Sequence, residues 1–580
     1  MKNKKFIVCT AVFLVLAAVV AFVGIKSSAL KPLNDGEWTG SADGRNDRVV
    51  MSVSVSGGKI TAIKTVQEDE TDFAKEAIAQ IAEAVLSGKS VDSVDAVSGA
   101  TITSNATKQA IKEALNASRG IASKKAKKAL KDEKVDIVVI GAGGAGLSAA
   151  TEAASKGKKV IVLEKMGNAG GNTSSATGGL NASETSVQKK LGIEDSNAQY
   201  IEDTIKGGHN LNDPDLVRNM VEHSAETVDW LIGLGADLTD VGKMAGSTNK
   251  RTHRPQGGAA IGAHLVPVLV KAAETAGAQI RYNSRVTQIV KADDGSVAGV
   301  KVLSAEGEYT ISASAVIVAT GGFGASPELV VKYRPDLAGF GTTNHKGATG
   351  DAIALVEPFD ADFVQMDQIQ THPTVVPSNG FMITEAVRGN GAIMVNREGK
   401  RFGNEMATRD VMSAAILAQT GKTAYLLFDQ GVRESLKAIE GYAKKGLLTE
   451  GASLEELAQK LGMPAADLKA SVDTYNSYQA SGNDAEFSRK ADDMPRAIAT
   501  APFYAVEVGP AIHHTMGGIK INTKAQVLNK SGSVVKGLFA AGEVTGGIHG
   551  GNRLGGNAVA DICVYGKIAA DSALEFLGSK

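Results

Sequence analysis

Val135-Asp136-Ile137-Val138-Val139-Ile140-Gly141-Ala142-Gly143-Gly144-Ala145-Gly146 is the stretch that decides the fold. Its run of Val and Ile marks a strand buried on both faces of a parallel sheet. The glycines follow at once and lead into an Ala-rich helix, and Lys159 to Leu163 reads as the next strand, ended by Glu164. A glycine fingerprint alone is weak, but strand, turn, helix, strand and terminal acid together form a βαβ unit for a dinucleotide. Gly141, Gly143 and Gly146 let the backbone approach a pyrophosphate, whose charge sits at the positive end of the helix. Glu164 is placed to accept hydrogen bonds from the adenosine ribose.

Around this unit lies a chain of 580 residues, too long for one compact core, so several domains are expected. Its 66 glycines are an excess that nucleotide-binding turns explain in part. A net charge of -1 gives no global field for nucleic acid, so no nucleic-acid partner is expected and anion binding must be local. Only Cys9 and Cys563 occur, which excludes a disulfide scaffold, a Cys-based zinc site and a Cys-ligated iron-sulfur cluster. There is no Cys-x-x-Cys-His haem site and no His-Glu-x-x-His spacing, so no metal is expected on side chains. Lys2, Lys4 and Lys5 precede an apolar run from Phe6 to Ile25, then Ser27-Ser28-Ala29. Residues 1–30 therefore read as a signal peptide or a membrane anchor, placing the body outside the cytoplasm, whether periplasmic, secreted or at the cell surface.

Residues 34–118 read as a small α+β module. Arg48 to Ser56 and Lys59 to Val66 alternate about a Gly57-Gly58 turn, forming a hairpin. Asp72 to Leu86 is a helix expected to present Phe73, Ile78, Ile81, Ala82 and Val85 on one face, and Asn105 to Leu115 is a second. Between them, Asp95-Ala96-Val97-Ser98-Gly99-Ala100-Thr101 offers a hydroxyl on a tight turn, although Ser/Thr/Gly runs are also ordinary turns. A Lys/Ala-rich connector at 119–133 leads to the nucleotide-binding domain, taken as 134–365 and 487–580, with a cap domain at 366–486. Gln279 to Ile289, Val297 to Leu303 and Ala315 to Ala319 add strands, and Thr423 to Ser481 is mostly helical with short strands.

Further glycine loops occur at Gly170 to Gly179, Thr320-Gly321-Gly322, Ala541-Gly542-Glu543 and Gly555-Gly556-Asn557-Ala558. With the βαβ unit they resemble the flavoprotein subunit family of fumarate reductases and succinate dehydrogenases, from Val135 to the C-terminus. Thr371-His372-Pro373-Thr374, Met382 to Gly391, Thr408-Arg409-Asp410, His513 to Gly518 and Gly551 to Asn557 are similar to the active-site segments of its soluble, single-subunit fumarate reductases. The resemblance implies an α/β fold, with a Rossmann-like FAD-binding domain and an inserted α+β cap domain. It implies non-covalent FAD on Gly141, Ala142, Gly143, Ala145, Gly146, Glu164, Asn172, Thr173, Thr177, Gly178, Gly179 and Gly322, with Asp351, His514, Glu543, Ala558 and Val559. It further implies a sodium ion on backbone carbonyls around Thr515, Met516, Gly517, Glu543 and Thr545. The N-terminal module resembles the FMN-binding domain family, which implies FMN joined to Thr101 by a phosphoester that a flavin transferase makes.

For a trans four-carbon dicarboxylate the chemistry agrees. Two anionic ends need separate clamps, Arg553 and His513 at one and His372 and Thr384 at the other, with Met382, Glu385 and Gly556 completing the substrate site. Hydride from FAD and a proton from an acid then reduce the double bond. By charge alone an active-site arginine is a clamp, since its pKa exceeds about 12. The resemblance instead assigns the acid to Arg409, fed through Glu385 and Arg388. The expectation is an exported fumarate reductase taking electrons from a membrane or extracellular donor through FMN. Reduction of urocanate, acrylate or a cinnamate is the alternative, and a non-enzymatic flavin electron carrier is another. An NADH-linked reductase is disfavoured by the single dinucleotide fingerprint. His253 is a candidate cofactor-loop residue, whereas His209, His223, His264 and His345 receive no role.

Overall fold

The computed structural model describes residues 31–44, 48–68, 70, 72–121, 132–304 and 306–579. The apolar run at 1–30 and most of the connector at 119–133 lie outside them. The chain divides into two compact units, Met1–Ala126 and Lys127–Lys580.

In the first unit, β1 (Gly36–Asp43), β2 (Arg48–Ser56) and β3 (Lys59–Gln67) form an antiparallel sheet in that order, covered by α1 (Asp72–Leu86) and α2 (Thr101–Ser118). Val49, Met51, Val53 and Val55 alternate along β2 and pack against Ile78, Ile81, Val85, Ile111 and Leu115. Two details differ from the sequence reading. The second helix begins at Thr101, not Asn105, because Thr103 and Ser104 are buried in its first turn rather than solvated in a loop. Phe73 is 53% exposed and stands off the core face of α1.

The second unit is built on β4 (Glu133–Ile140), α3 (Gly144–Ser155) and β5 (Val160–Leu163), the expected βαβ unit. Val138 pairs with Ile161 on one side and with Val316 on the other, both in parallel register. The eight-stranded sheet continues outward through 307–318, 297–304 and 285–291 on one flank and 279–281 on the other, while 534–540 also pairs in parallel with 307–318. The expected strand Gln279 to Ile289 is broken at Asn283, whose φ is +50°. Close packing holds the first turn: a Cβ on Gly146 would stand 1.9 Å from the Gly141 carbonyl oxygen.

A five-stranded antiparallel sheet, formed by 369–375, 503–515, 424–429, 393–395 and 449–451, makes the cap. Along 424–429, Leu426 and Phe428 enter one hydrophobic cluster while Tyr425 and Leu427 enter another, so both faces are covered. Strand Phe503–Thr515 belongs to this sheet although it lies beyond the boundary expected at 486. It pairs with 424–429 through Phe503–Val508 and with 369–375 through Gly509–Thr515.

Candidate active site

Two clefts of the second unit, of about 890 and 1590 Å³, share Asn172, Thr173, Glu543 and Ile562 on their walls. Gly141, Gly143, Ala145, Glu164 and Asp351 line the first; Ala142, Gly146 and Gly322 are not on its wall. α3 starts on Gly143 without a side-chain cap, which leaves backbone N–H groups for an anion. Glu164 accepts from Ala142 N at 2.8 Å and Met166 N at 2.8 Å, so its carboxylate braces the glycine turn as well as facing the cleft. Burial pushes this carboxyl up against those bonds. His345, to which the sequence assigned nothing, also lines this cleft.

The second cleft collects Thr177, Gly178, Gly179, His372, Met382, Thr384, Glu385, Arg409, His513, His514, Arg553, Gly556, Ala558 and Val559. These residues come from the βαβ side, the cap and the C-terminal segment, which is why no local stretch of sequence contains the site. Arg409 opens the helix Arg409–Leu417 and donates from Nε to Glu385 Oε2 at 3.1 Å and from Nη1 to Gln370 Oε1 at 3.1 Å. Behind Glu385, the fully buried Arg388 brings Nη2 to 3.6 Å of the same carboxylate oxygen. The other Glu385 oxygen accepts from Ala245 N at 2.9 Å. Burial pushes the Glu385 carboxyl up, but the charges of Arg409 and Arg388 outweigh it and hold the group below the usual carboxylate range.

Opposite, the His372 and His513 rings meet edge to face with centroids 5.0 Å apart, and Thr343 Oγ1 lies 2.7 Å from His513 Nδ1. Burial, reinforced by the Arg409 charge, holds both imidazoles well below their ordinary pKa and therefore neutral. His514 is depressed in the same way, by burial first and Arg553 next. Burial and Arg409 push the Arg553 guanidinium down, and its Nε is buried with no hydrogen-bond partner among the described residues. Arginine is protonated in the resting site, which therefore holds a positive excess suited to a dianion. Thr384 is fixed from two sides, by its N–H to the Tyr442 hydroxyl at 3.1 Å and by Thr177 Oγ1 at 3.3 Å.

Gln370 is the residue that sequence reading passes over. Its amide accepts from Arg409 and donates from Nε2 to Asn552 Oδ1 at 2.5 Å and to the Arg553 carbonyl at 2.8 Å, tying two arginine-bearing segments together. Its place two residues before His372 on strand Ile369–Val375 is the signal that could have found it, since alternate residues of a strand share a face. Arg388 is braced from behind by a buried network in which Arg489 donates to its carbonyl at 2.7 Å and bridges to Glu405 at 3.0 Å. Arg401 pairs with Glu405 at 2.9 Å and with Asp484 at 3.0 Å in the same network. His253 is not on either cleft; it is buried against Thr185 Oγ1 at 2.8 Å and the Arg251 carbonyl at 2.9 Å. Among the described residues no group of three His, Cys, Asp or Glu could hold a metal ion. In the first unit Thr101 is exposed at the start of α2, after Gly99 at φ +86°.

Comparison with known proteins gives the same division. The FAD binding domain family matches residues 136–559 and the FMN-binding domain family matches 44–116. The chain is 49% identical to a "Fumarate reductase (cytochrome)" of Shewanella frigidimarina over 77% of its own length and 78% of that protein. It is 41% identical to an "NADH:fumarate oxidoreductase" of Klebsiella pneumoniae (strain 342), over 97% of this chain and 60% of that one. A solved structure, the open conformation of a flavocytochrome c3 fumarate reductase, superposes with a TM-score of 0.67 at 44% identity, covering 77% of this chain and 79% of the other.

Proposed function

Because this chain belongs to the FAD-binding fumarate reductase family and carries an N-terminal FMN-binding domain, we propose that it is an exported enzyme reducing fumarate to succinate with electrons entering at an FMN on Thr101. The residues fit both groups: the uncapped start of α3 faces the cleft lined by Gly141, Gly143, Glu164 and Asp351, and the Thr101 hydroxyl stands at the uncapped start of α2. When bound, FMN takes in electrons and FAD delivers them as hydride to the substrate.

Arg553 and His513 grip one carboxylate, and His372 and Thr384 grip the other. Clamping the two ends separately twists one carboxylate out of conjugation, so that this end draws electron density from the double bond; binding energy at the ends supplies the strain. Met382 and Gly556 pack about the olefin. Arg409 gives a proton to the carbon next to the one that takes hydride, completing succinate. Glu385 then passes a proton from Arg388 to restore Arg409, and solvent supplies the proton that recharges Arg388. The observation that carries this reading is the short line Arg409, Glu385, Arg388, in which one carboxylate oxygen lies 3.1 Å from the first guanidinium and 3.6 Å from the second. A carboxylate held ionised between two cations can accept and pass a proton without storing it.

The basic flank and apolar run at 1–30 support export or anchoring, with the donor in the membrane or outside it. A flavin transferase forms the Thr101 phosphoester. Thr515, Met516, Gly517, Glu543 and Thr545 supply carbonyls for a sodium ion; Ile519 bridges to Thr545, which brings the two segments together. Urocanate, acrylate and cinnamate remain the second reading. The pairing of His372 with Thr384 on the cleft wall favours a second carboxylate over an imidazole or phenyl ring. The test is turnover of the flavinylated protein with a reduced artificial dye. Fumarate is expected to be consumed fastest, and faster oxidation by urocanate or acrylate would reject the substrate assignment.

A further inference from the structure

Phe73 is the only exposed Phe or Trp among the described residues. Its exposure follows from helical phase. Ile78, Ile81 and Val85 of α1 form a buried stripe, and at 100° per residue Phe73 falls about 110° from its centre. Its neighbours Ala74 and Ala77 are buried against Val97 and Ala100 of the attachment turn, so α1 lays small residues on that turn and leaves the large one beside it. A Cβ on Gly99 would stand 3.2 Å from Phe73 Cε1 and 3.6 Å from Cζ. Thr101 is two peptide steps further on, at most about 7 Å of chain. Ile102, next to Thr101, is 47% exposed and off the buried face of α2 in the same way. A phosphate on the Thr101 oxygen thus starts its ribityl chain beside an exposed phenyl ring and an exposed branched side chain.

We propose that Phe73 is the stacking platform for the isoalloxazine ring of the flavin on Thr101, with Ile102 flanking it. This rests on the phosphoester reading given above. The tethered ring is planar and apolar on both faces, and an aromatic side chain meets such a face in an offset stack. The tether raises the local concentration of the ring near Phe73, so a weak contact suffices to hold it. Seating the ring there gives the flavin a fixed place on the module and removes the phenyl face from water. No pocket is needed.

The experiment uses the flavinylated full chain, with Thr101→Ala as the reference that contributes only FAD emission. Intact mass comes first: an unmodified wild-type chain overturns the phosphoester reading and this inference with it. With FMN present on every variant, Phe73→Trp is the contact test, because an indole touching an excited isoalloxazine donates an electron and quenches it. FMN emission is expected to fall several-fold. Phe73→Ala is expected to lower the anisotropy of FMN emission and to raise quenching by iodide several-fold, as the ring comes loose into solvent. Emission, anisotropy and iodide access that stay at wild-type values in both variants overturn the platform while leaving the phosphoester intact. If under those conditions Phe73→Ala slows only reduction by a protein donor, Phe73 is a docking residue instead.

Discussion

The large cleft and the Thr101 turn are built on opposite plans. The cleft is concave, walled by segments far apart in sequence, and carries Arg409 and Arg553 on its wall with Glu385 and Glu543, while Arg388 stands buried behind Glu385. The turn is exposed, made by one short stretch of chain, and presents the Ser98 and Thr101 hydroxyls close to the Phe73 ring, which lies against Gly99. Size explains the difference. A module of residues 34–118 spends most of its apolar side chains on covering one face of a three-stranded sheet and leaves only a few, Phe73 and Ile102 among them, on its surface. The unit of Lys127–Lys580 has enough interior to surround a dinucleotide and a substrate. Where burial cannot retain a cofactor, a covalent bond can.

If the comparison is right, substitutions in the cleft disturb alkene reduction far more than one at the turn. Arg409→Ala is expected to have the largest effect, a loss of about 10³-fold or more in dye-driven fumarate reduction with FAD still bound, since a positioned acid contributes roughly 10²–10⁴. Near-normal turnover would remove the acid role. Arg553→Lys keeps the charge but loses the planar fork, and the loss of a charged hydrogen bond of about 1.5–3 kcal/mol should lower kcat/KM roughly tenfold to a hundredfold. A wild-type kcat/KM would show that a point charge suffices there.

A pH effect comes next. His372 and His513 are held below 6.5 when folded, so the unfolded chain binds more protons as pH falls. Their contribution to stability is complete above about pH 6.5 and is lost as pH drops below it. Thermal melts from pH 8 to 5 should fall, and the fall should be shallower in His513→Gln; parallel curves would contradict the neutral imidazole. Thr101→Ala should have the smallest effect on the dye assay, less than any cleft substitution, while its intact mass drops by one FMN. A dye rate as low as that of Arg409→Ala would mean that the two regions are not separable in function.

How much could be read from sequence follows the same line. The βαβ unit was legible because a buried Val/Ile run and its glycines are contiguous, and α1 was legible to its ends, Asp72 and Leu86. β1 was not, since Gly36-Glu37-Trp38-Thr39 has neither clean alternation nor an apolar run. The start of α2 was misplaced because Thr101 to Ser104 are residues that also make turns, and only tertiary burial of Thr103 and Ser104 decides between the two. The cleft residues were legible one by one through resemblance, but their wiring was not. Gln370 acts through Arg409 and Arg553, and Glu405 pairs with Arg489 across 84 positions; neither pairing leaves a local pattern. The periodicity reading set Phe73 on one face with Ile78, Ile81 and Val85, although at 100° per residue it lies about 110° from the centre of their stripe.

Thr101 stands in solvent while the core behind it is complete. The flavin transferase proposed above would therefore read a finished surface, with no need to catch the chain half-folded. On the proposal that a flavin is joined to Thr101, its loading is a step independent of folding, open at any time after the module has assembled.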